Sequence, residues 1–139
     1  MKKIYFSLIL AISISTQAQL VVNEISQGNA GSREFIEFVV IGTPTCSQPC
    51  FDLRGWIIDD NNGFHATGGG TGISAGCLRF RNIAQWACVP YGSIILIYNE
   101  NDKNVNITLP DDPTDANNDK VYVLPGNSTL LEGNSSSPS

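Results

Sequence analysis

Three glutamates near the start of the chain are its first candidates for acid–base chemistry, because two carboxylates facing one substrate can serve as acid and base. They are Glu24, Glu34 and Glu37. Glu34 and Glu37 point to opposite faces of an extended strand, so they do not form a pair. Glu24 and Glu37 can meet only on paired strands, and glycosidase chemistry would also require a cleft with an aromatic platform for the sugar. The sequence therefore predicts no catalytic carboxylate pair.

Glu37 still needs an explanation, because it lies in the middle of the apolar run REFIEFVV. Glutamate is depleted from strands, and burying its charge is costly unless the charge is paired. We predict a structural role, in which Glu37 accepts hydrogen bonds from loop N–H groups or pairs with Arg33 or Arg54.

The sequence lacks the motifs that usually accompany nucleophilic catalysis. His65 is the only histidine and lies in DDNNGFHATGGGTG, residues 59–72, while no G-x-S-x-G nucleophile elbow occurs. The GGGTG stretch lacks the Gly-Lys-Ser/Thr ending of a phosphate-binding loop. We therefore expect His65 to be a solvated loop residue and the chain not to be an enzyme.

The acidic segment DDPTDANND, residues 111–119, is the main candidate for a calcium site, and Asp59, Asp60 and Asn61 form a second cluster of oxygen ligands. Calcium requires several oxygen ligands, and a short segment rich in carboxylates and amides can supply them. The spacing does not match an EF-hand, so a solvated acidic turn is the default interpretation and calcium the alternative. No other cofactor is expected. The candidate calcium ligands are Asp111, Asp112, Asp115 and Asp119.

The two tryptophans have different expected roles. Trp56 lies within an apolar, strand-like run and is predicted to be a structural core residue. Trp86 lies between Cys77 and Cys88, where an exposed aromatic ring could serve a binding surface, because aromatic anchors are common at interfaces.

Short runs of Val, Ile, Phe and Tyr alternate with clusters of Gly, Pro, Asn and Asp, and no stretch keeps a helical apolar period. These features predict an all-β domain, and the number of strands fits a small β-sandwich. The predicted strands are Leu20–Ser26, Glu34–Ile41, Asp52–Asp59, Leu78–Arg81, Ser93–Tyr98 and Val121–Leu124, with a further candidate at Val105–Leu109.

The four cysteines, Cys46, Cys50, Cys77 and Cys88, indicate disulfides if the protein is exported. Three connectivities exist. Short spacing favours Cys46–Cys50 with Cys77–Cys88, each closing a local loop. A zinc site is the less favoured alternative, because the first pair has C-x3-C spacing and export favours oxidation.

Residues 1–18 have the pattern of a secretory signal peptide: two lysines, an apolar stretch shorter than a membrane span, and small residues before Gln19. We expect a secreted protein, extracellular or at the cell surface, without membrane attachment through this segment. Its removal changes the formal net charge from −5 to −7, because Lys2 and Lys3 are lost. The remaining basic residues are scattered, so nucleic acid is not an expected partner.

The mature chain is long enough for one domain with its own core, predicted over residues 19–126. Residues 127–139 contain LEGNSSSPS and are predicted to be a disordered tail or a linker.

Four phrases, in this order, are similar to the lamin-tail domain family, in its bacterial secreted type. The matching residues include Asn23, Glu24 and Ile25, then Phe35 to Phe38, then Asp52, Leu53, Gly55 and Trp56, and more loosely Pro90 and Gly92. The segment after the second phrase and the segment 60–88 differ from the family pattern. The four phrases are LVVNEIS (20–26), REFIEFVV (33–40), FDLRGWIIDD (51–60) and VPYGSIILIYNENDK (89–103).

The resemblance implies an immunoglobulin-like β-sandwich that serves as a non-catalytic module for binding or adhesion, as part of a larger cell-surface or extracellular protein. The expected partner is a protein or a glycan at the cell surface. The alternative is an accessory domain of a secreted hydrolase of nuclease or phosphatase type. A shared sandwich fold does not by itself fix the function.

Overall fold

The computed structural model describes residues 19–27, 33–59 and 77–133. The predicted signal peptide, His65, the GGGTG stretch and residues 134–139 lie outside these described residues. One short 3-10 helix, Ala84–Trp86, accompanies the strands. The strands are β1 (Leu20–Ser26), β2 (Phe35–Val40), β3 (Cys50–Phe51), β4 (Ile57–Asp59), β5 (Cys77–Phe80), β6 (Val89–Pro90), β7 (Ile94–Tyr98), β8 (Val121–Pro125) and β9 (Leu131–Gly133).

The described strands form three sheets. The largest has four strands in the order β1-β2-β7-β8, with antiparallel pairs except for the parallel pair β7 and β8. An antiparallel sheet has the order β4-β5-β9, and β3 pairs with β6. With one helical turn beside these strands, the prediction of an all-β fold is confirmed.

The main core lies against one face of the four-stranded sheet. Alternate residues of β2 and β7 point into it, including Phe38, Val40 and Ile95, because successive side chains of a strand point to opposite faces. Phe80 of β5 and Leu131 of β9 enter the same core from the three-stranded sheet. Burial of these apolar side chains is the main favourable contribution to folding.

The opposite face of the four-stranded sheet carries a smaller buried cluster: Phe35, Leu96, Tyr98 and Val123. Ile107, from the segment that follows β7, packs against this cluster. The sheet is thus apolar on both faces, which explains the near-continuous apolar runs of β2 and β7 in the sequence.

Three predicted elements differ from the observed ones. The predicted strand Asp52–Asp59 contains a tight turn at residues 53–56 and becomes β4 only at Ile57. Residues 105–109 form turns and irregular structure instead of a strand. Residues 131–133 of the predicted tail form β9, which pairs with β5 and buries Leu131 in the core.

The disulfide joins Cys50 to Cys88, 38 residues apart in sequence, and includes neither Cys46 nor Cys77. Both local pairings favoured by spacing are therefore wrong. The physical reason is the pairing of β3 with β6, which sets Cys50 opposite Pro90 and brings Cys88 alongside. Cys77 begins β5 and is buried in the core, while Cys46 is exposed on the loop before β3.

Among the described residues, no helix is both long and apolar enough to span a membrane.

Candidate binding cleft

The phrase DLRGW forms one side of an open polar cleft. The Trp56 N–H donates to the Leu53 carbonyl oxygen at 3.1 Å and closes a turn around Arg54 and Gly55. Gly55 has φ +77°, a backbone conformation that favours glycine. Leu53 is completely buried and anchors the turn to the core. Arg54 is consequently held at the apex of the turn, on the surface.

Asp52 fixes the Arg54 side chain in place. One carboxylate oxygen accepts hydrogen bonds from the Arg54 backbone N–H at 3.0 Å and from its Nε at 2.9 Å. The other oxygen accepts from Arg54 Nη2 at 2.5 Å. This is the bidentate geometry that suits a guanidinium and a carboxylate. It keeps the guanidinium oriented although both side chains are largely exposed.

A second ion pair forms the other side of the cleft. Arg79 of β5 is the direct cross-strand partner of Glu132 of β9, and its Nε donates to the Glu132 carboxylate. Ile57 of β4 is the partner of Arg79 on its other side. Direct partners project from the same face of a sheet, so the ion pair and Ile57 share the outer face of the three-stranded sheet.

The two ion pairs lie along one cleft with a volume of about 660 Å³. Among the described residues, its lining contains two positive and two negative side chains, whose formal charges cancel, together with an amide and a glycine. None of these described lining residues has a large apolar side chain. They are Asp52, Arg54, Gly55, Arg79, Asn82 and Glu132.

The charges of Asp52, Arg54 and Arg79 are fixed over a wide pH range. The hydrogen bonds from the Arg54 side chain, with a further one from its backbone, lower the pKa of Asp52 to about 2. The same pairing raises the pKa of Arg54, and the hydrogen bond to Glu132 raises the pKa of Arg79. Asp52 thus stays ionised at neutral pH, so it cannot act there as a proton donor.

Sequence reasoning missed half of this cleft. Asp52, Arg54 and Gly55 were noticed as parts of a motif, but Arg79, Asn82 and Glu132 were not singled out. Arg79 and Glu132 are 53 residues apart in sequence and meet only through the pairing of β5 with β9. A correct assignment of β9 would have placed them side by side.

The burial of the two tryptophans is the reverse of the predicted one. Trp86 has no exposed surface and its Nε1–H donates to the Leu130 carbonyl oxygen at 2.8 Å, so this ring is a core residue and is not available to a ligand. Trp56 is 41% exposed and contacts Phe51 edge-on, with ring centroids 5.2 Å apart.

Glu37 has a hydrogen-bonding partner that differs from the predicted ones. The Asn23 side-chain amide donates to a Glu37 carboxylate oxygen at 2.5 Å. Asn23 is the extra residue of an irregularity in the pairing of β1 with β2, between Val22 and Glu24. Such bulges redirect a side chain, here towards the neighbouring strand.

The arginines proposed for Glu37 bind other acids: Arg33 pairs with Asp102, and Arg54 with Asp52. Glu24 and Glu37 are direct cross-strand partners, which is the arrangement that a catalytic pair of carboxylates would require. Like charges set directly opposite each other are unfavourable, and the amide of Asn23 offsets part of this repulsion. The sequence phrases NEI and FIEF are therefore joined by strand pairing and by the hydrogen bond from Asn23 to Glu37.

The predicted calcium ligands have separate partners. Asp112 accepts from the backbone N–H groups of Ala116 and Asn117, which lowers its pKa, and Asp115 accepts from those of Asp119 and Lys120. Among the described residues, no group of three or more His, Cys, Asp or Glu side chains is arranged to hold a metal ion.

The two remaining acids of this segment are also hydrogen-bonded. Asp111 accepts from the Tyr98 hydroxyl at 2.8 and 2.9 Å and from Lys103 Nζ at 3.0 Å. Asp119 accepts from the Val121 N–H at 2.9 Å, at the start of β8. The four aspartates thus accept hydrogen bonds from backbone N–H groups in and next to the segment, and from Tyr98 and Lys103.

In comparisons with known proteins, no protein-family model, no curated protein and no solved structure matches the chain.

Proposed function

We propose that this chain is a secreted, non-catalytic binding module with an immunoglobulin-like β-sandwich of the lamin-tail type. The all-β fold and the main core shared by its four-stranded and three-stranded sheets support this proposal. The disulfide supports the export that the signal-peptide pattern predicts, because disulfides persist in oxidising compartments.

The motif residues behind the lamin-tail resemblance have defined structural contacts, which favours a common scaffold. Asn23 binds Glu37 between β1 and β2, and Asp52 orients Arg54 in the turn that Gly55 allows. These contacts explain why such residues would recur together in one scaffold. They do not by themselves assign a function.

The observation that carries the binding function is the polar cleft between the Arg54–Asp52 and Arg79–Glu132 pairs. Each guanidinium is oriented by a carboxylate and remains partly exposed, so it can donate to a partner without first being ordered. Groups held in place before binding lose less entropy when a partner arrives. The strongly acidic Asp52 supports a role in binding instead of proton transfer.

The expected partner is a protein or a glycan on a cell surface. The formal net charge of −5 opposes association with polyanions, so nucleic acid is not proposed. The chain would supply recognition through its cleft, while other parts of a larger extracellular protein supply attachment.

The test is binding of the exported chain to arrays of cell-surface proteins and glycans. We expect a signal that weakens at least about tenfold in Arg79→Met, because charge-assisted hydrogen bonds contribute that much to affinity. Arg81→Met is the matched control, since Arg81 lies two residues further on and outside the cleft lining. Equal loss in both variants, or in neither, would contradict the proposed site.

A further inference from the structure

We propose that the cleft between Arg54 and Arg79 binds a neutral saccharide through neighbouring hydroxyl groups. This inference rests on the proposed binding function and adds the chemical class of the ligand. It follows from the charge balance, the polarity and the hydrogen-bonding groups of the cleft.

The charge balance disfavours ligands with a strong net charge. Each guanidinium in the cleft has its own carboxylate, Asp52 for Arg54 and Glu132 for Arg79. An anionic ligand would gain from the arginines but would be repelled by both carboxylates, and the reverse holds for a cation. The negative net charge of the whole chain further opposes anions.

The polarity of the cleft disfavours apolar ligands and protein side chains. Sites for drug-like molecules are lined mostly by apolar and aromatic side chains, and protein interfaces depend on well-packed pockets for a few anchor residues. The described part of the cleft lining consists of four charged side chains, one amide and a glycine. It therefore suits a ligand whose surface is polar but uncharged.

The hydrogen-bonding groups match hydroxyls. A hydroxyl donates one hydrogen bond and accepts others, whereas arginine only donates and a carboxylate only accepts. Two of the five N–H groups of Arg54 bind Asp52, which leaves three for a ligand beside the same carboxylate. One hydroxyl can accept from Arg54 and donate to Asp52, and its neighbour can use Asn82, which has both kinds of group.

Two further features suit a sugar ring. Gly55 leaves the rim of the cleft open, since even a Cβ placed there would have no atom within 4 Å. Ile57, 46% exposed, lies beside Arg79 on the same face of the sheet. It lies next to the cleft, outside its described lining, where it can contact the C–H groups of a sugar that extends past Arg79.

The experiment is an array printed with neutral, sialylated and sulfated oligosaccharides, probed with the exported chain beside an array of cell-surface proteins. We expect signals on neutral oligosaccharides that fall at least about tenfold in Asn82→Ala and Arg79→Met and persist in Arg81→Met. Melting curves check that every variant is folded.

Glu132→Gln tests the charge balance directly. It keeps the shape of the side chain but gives the cleft a net positive charge, so we expect the ratio of sialylated to neutral signals to rise. An unchanged ratio would contradict the inference that paired charges set the preference for neutral ligands.

The remaining outcomes separate this inference from the proposed function. Cleft-dependent binding to proteins alone, or to sialylated and sulfated glycans alone, would overturn the neutral saccharide and leave the binding module intact. A complete lack of cleft-dependent binding on both arrays would overturn both.

Discussion

Two acidic regions of this protein use their carboxylates in opposite ways. In the turn segment, residues 111–120, the aspartates accept hydrogen bonds mainly from backbone N–H groups of the same segment. In the cleft, Asp52 and Glu132 accept from the arginine side chains Arg54 and Arg79. The first arrangement shapes the chain, whereas the second orients cationic groups at the surface.

The difference shows that the density of acids in a sequence does not identify a site. The turn segment is the most acidic stretch and was the candidate metal site, yet its oxygens are occupied locally. The cleft contributes only two carboxylates, and they come from distant parts of the chain. Their partners, and not their number, make the cleft the better candidate for recognition.

The substitution Asp112→Ala is the strongest test of the structural role that we assign to the turn segment and not to the cleft. Asp112 is buried, its side chain binds two backbone N–H groups, and its backbone pairs with Val123 of β8. Removing a cap of this kind takes the carboxylate acceptor away from two backbone N–H groups, so we expect the melting temperature to fall by about 5 °C or more. Differential scanning calorimetry measures it.

Asp112→Asn is the matched control, because an amide keeps one accepting oxygen; we expect a smaller loss. A cleft substitution such as Asp52→Asn should change the melting temperature less than Asp112→Ala does. The opposite order would mean that the cleft pair, and not the turn, is the structural element.

Alkaline pH should weaken the attachment of the turn segment to the sheet. Burial, together with the hydrogen bond to Asp111, raises the pKa of Tyr98 to about 12. A raised pKa means that the folded state holds the proton more tightly than the unfolded state. The resulting stability is complete below about pH 10, the ordinary tyrosine value, and is lost as pH rises towards 12.

Tyr98→Phe isolates this effect. We expect the variant to be less stable than the wild type at neutral pH and to lose less stability between pH 10 and 12, as measured by urea unfolding at each pH. Tyr91→Phe controls for general effects of removing a phenol. Parallel pH dependence in wild type and Tyr98→Phe would show that Tyr98 does not hold the segment.

Substitutions in the cleft should change the stability of the protein only slightly, even where they weaken binding strongly. Arg79 and Glu132 are 38% and 28% exposed, and ion pairs of this kind contribute less than about 1 kcal/mol. We expect Glu132→Gln to shift the melting temperature by only a few degrees. A loss as large as that of Asp112→Ala would mean that Glu132 serves mainly to attach β9.

The sequence predicted much of the fold because apolar periodicity is local. Strand β1 was predicted with its observed bounds, and β2, β7 and β8 within one or two residues. Strands of two or three residues, such as β6 and β9, carry too little periodicity to be recognised. The turn inside the predicted strand 52–59 was not recognised, because the apolar residues Leu53 and Trp56 make LRGW resemble part of a strand.

The site was less predictable, because its residues meet through tertiary pairing. The disulfide follows the pairing of β3 with β6, and the second ion pair follows that of β5 with β9. Trp86 was considered for a surface because cysteines flank it, but the 3-10 turn directs it into the core. Glu37 was correctly expected to need a hydrogen-bonding partner. That partner is Asn23, which reaches Glu37 because of a bulge in β1 that no sequence pattern predicted.

The smallest expected effect is that of calcium on stability. A site with a dissociation constant near 10 µM would stabilise the folded state by about 2.7 kcal/mol at 1 mM calcium, which raises the melting temperature by several degrees. The aspartates of the turn segment are already bonded to Tyr98, Lys103 and backbone N–H groups, so recruiting them would break those contacts. We therefore expect 1 mM calcium and 1 mM chelator to give melting temperatures within about 1 °C of each other, with magnesium as the control for ionic strength. A saturable rise with calcium that is absent with magnesium and is abolished in Asp111→Asn would instead restore the metal site, and the turn segment, not the cleft, would become the functional acidic region.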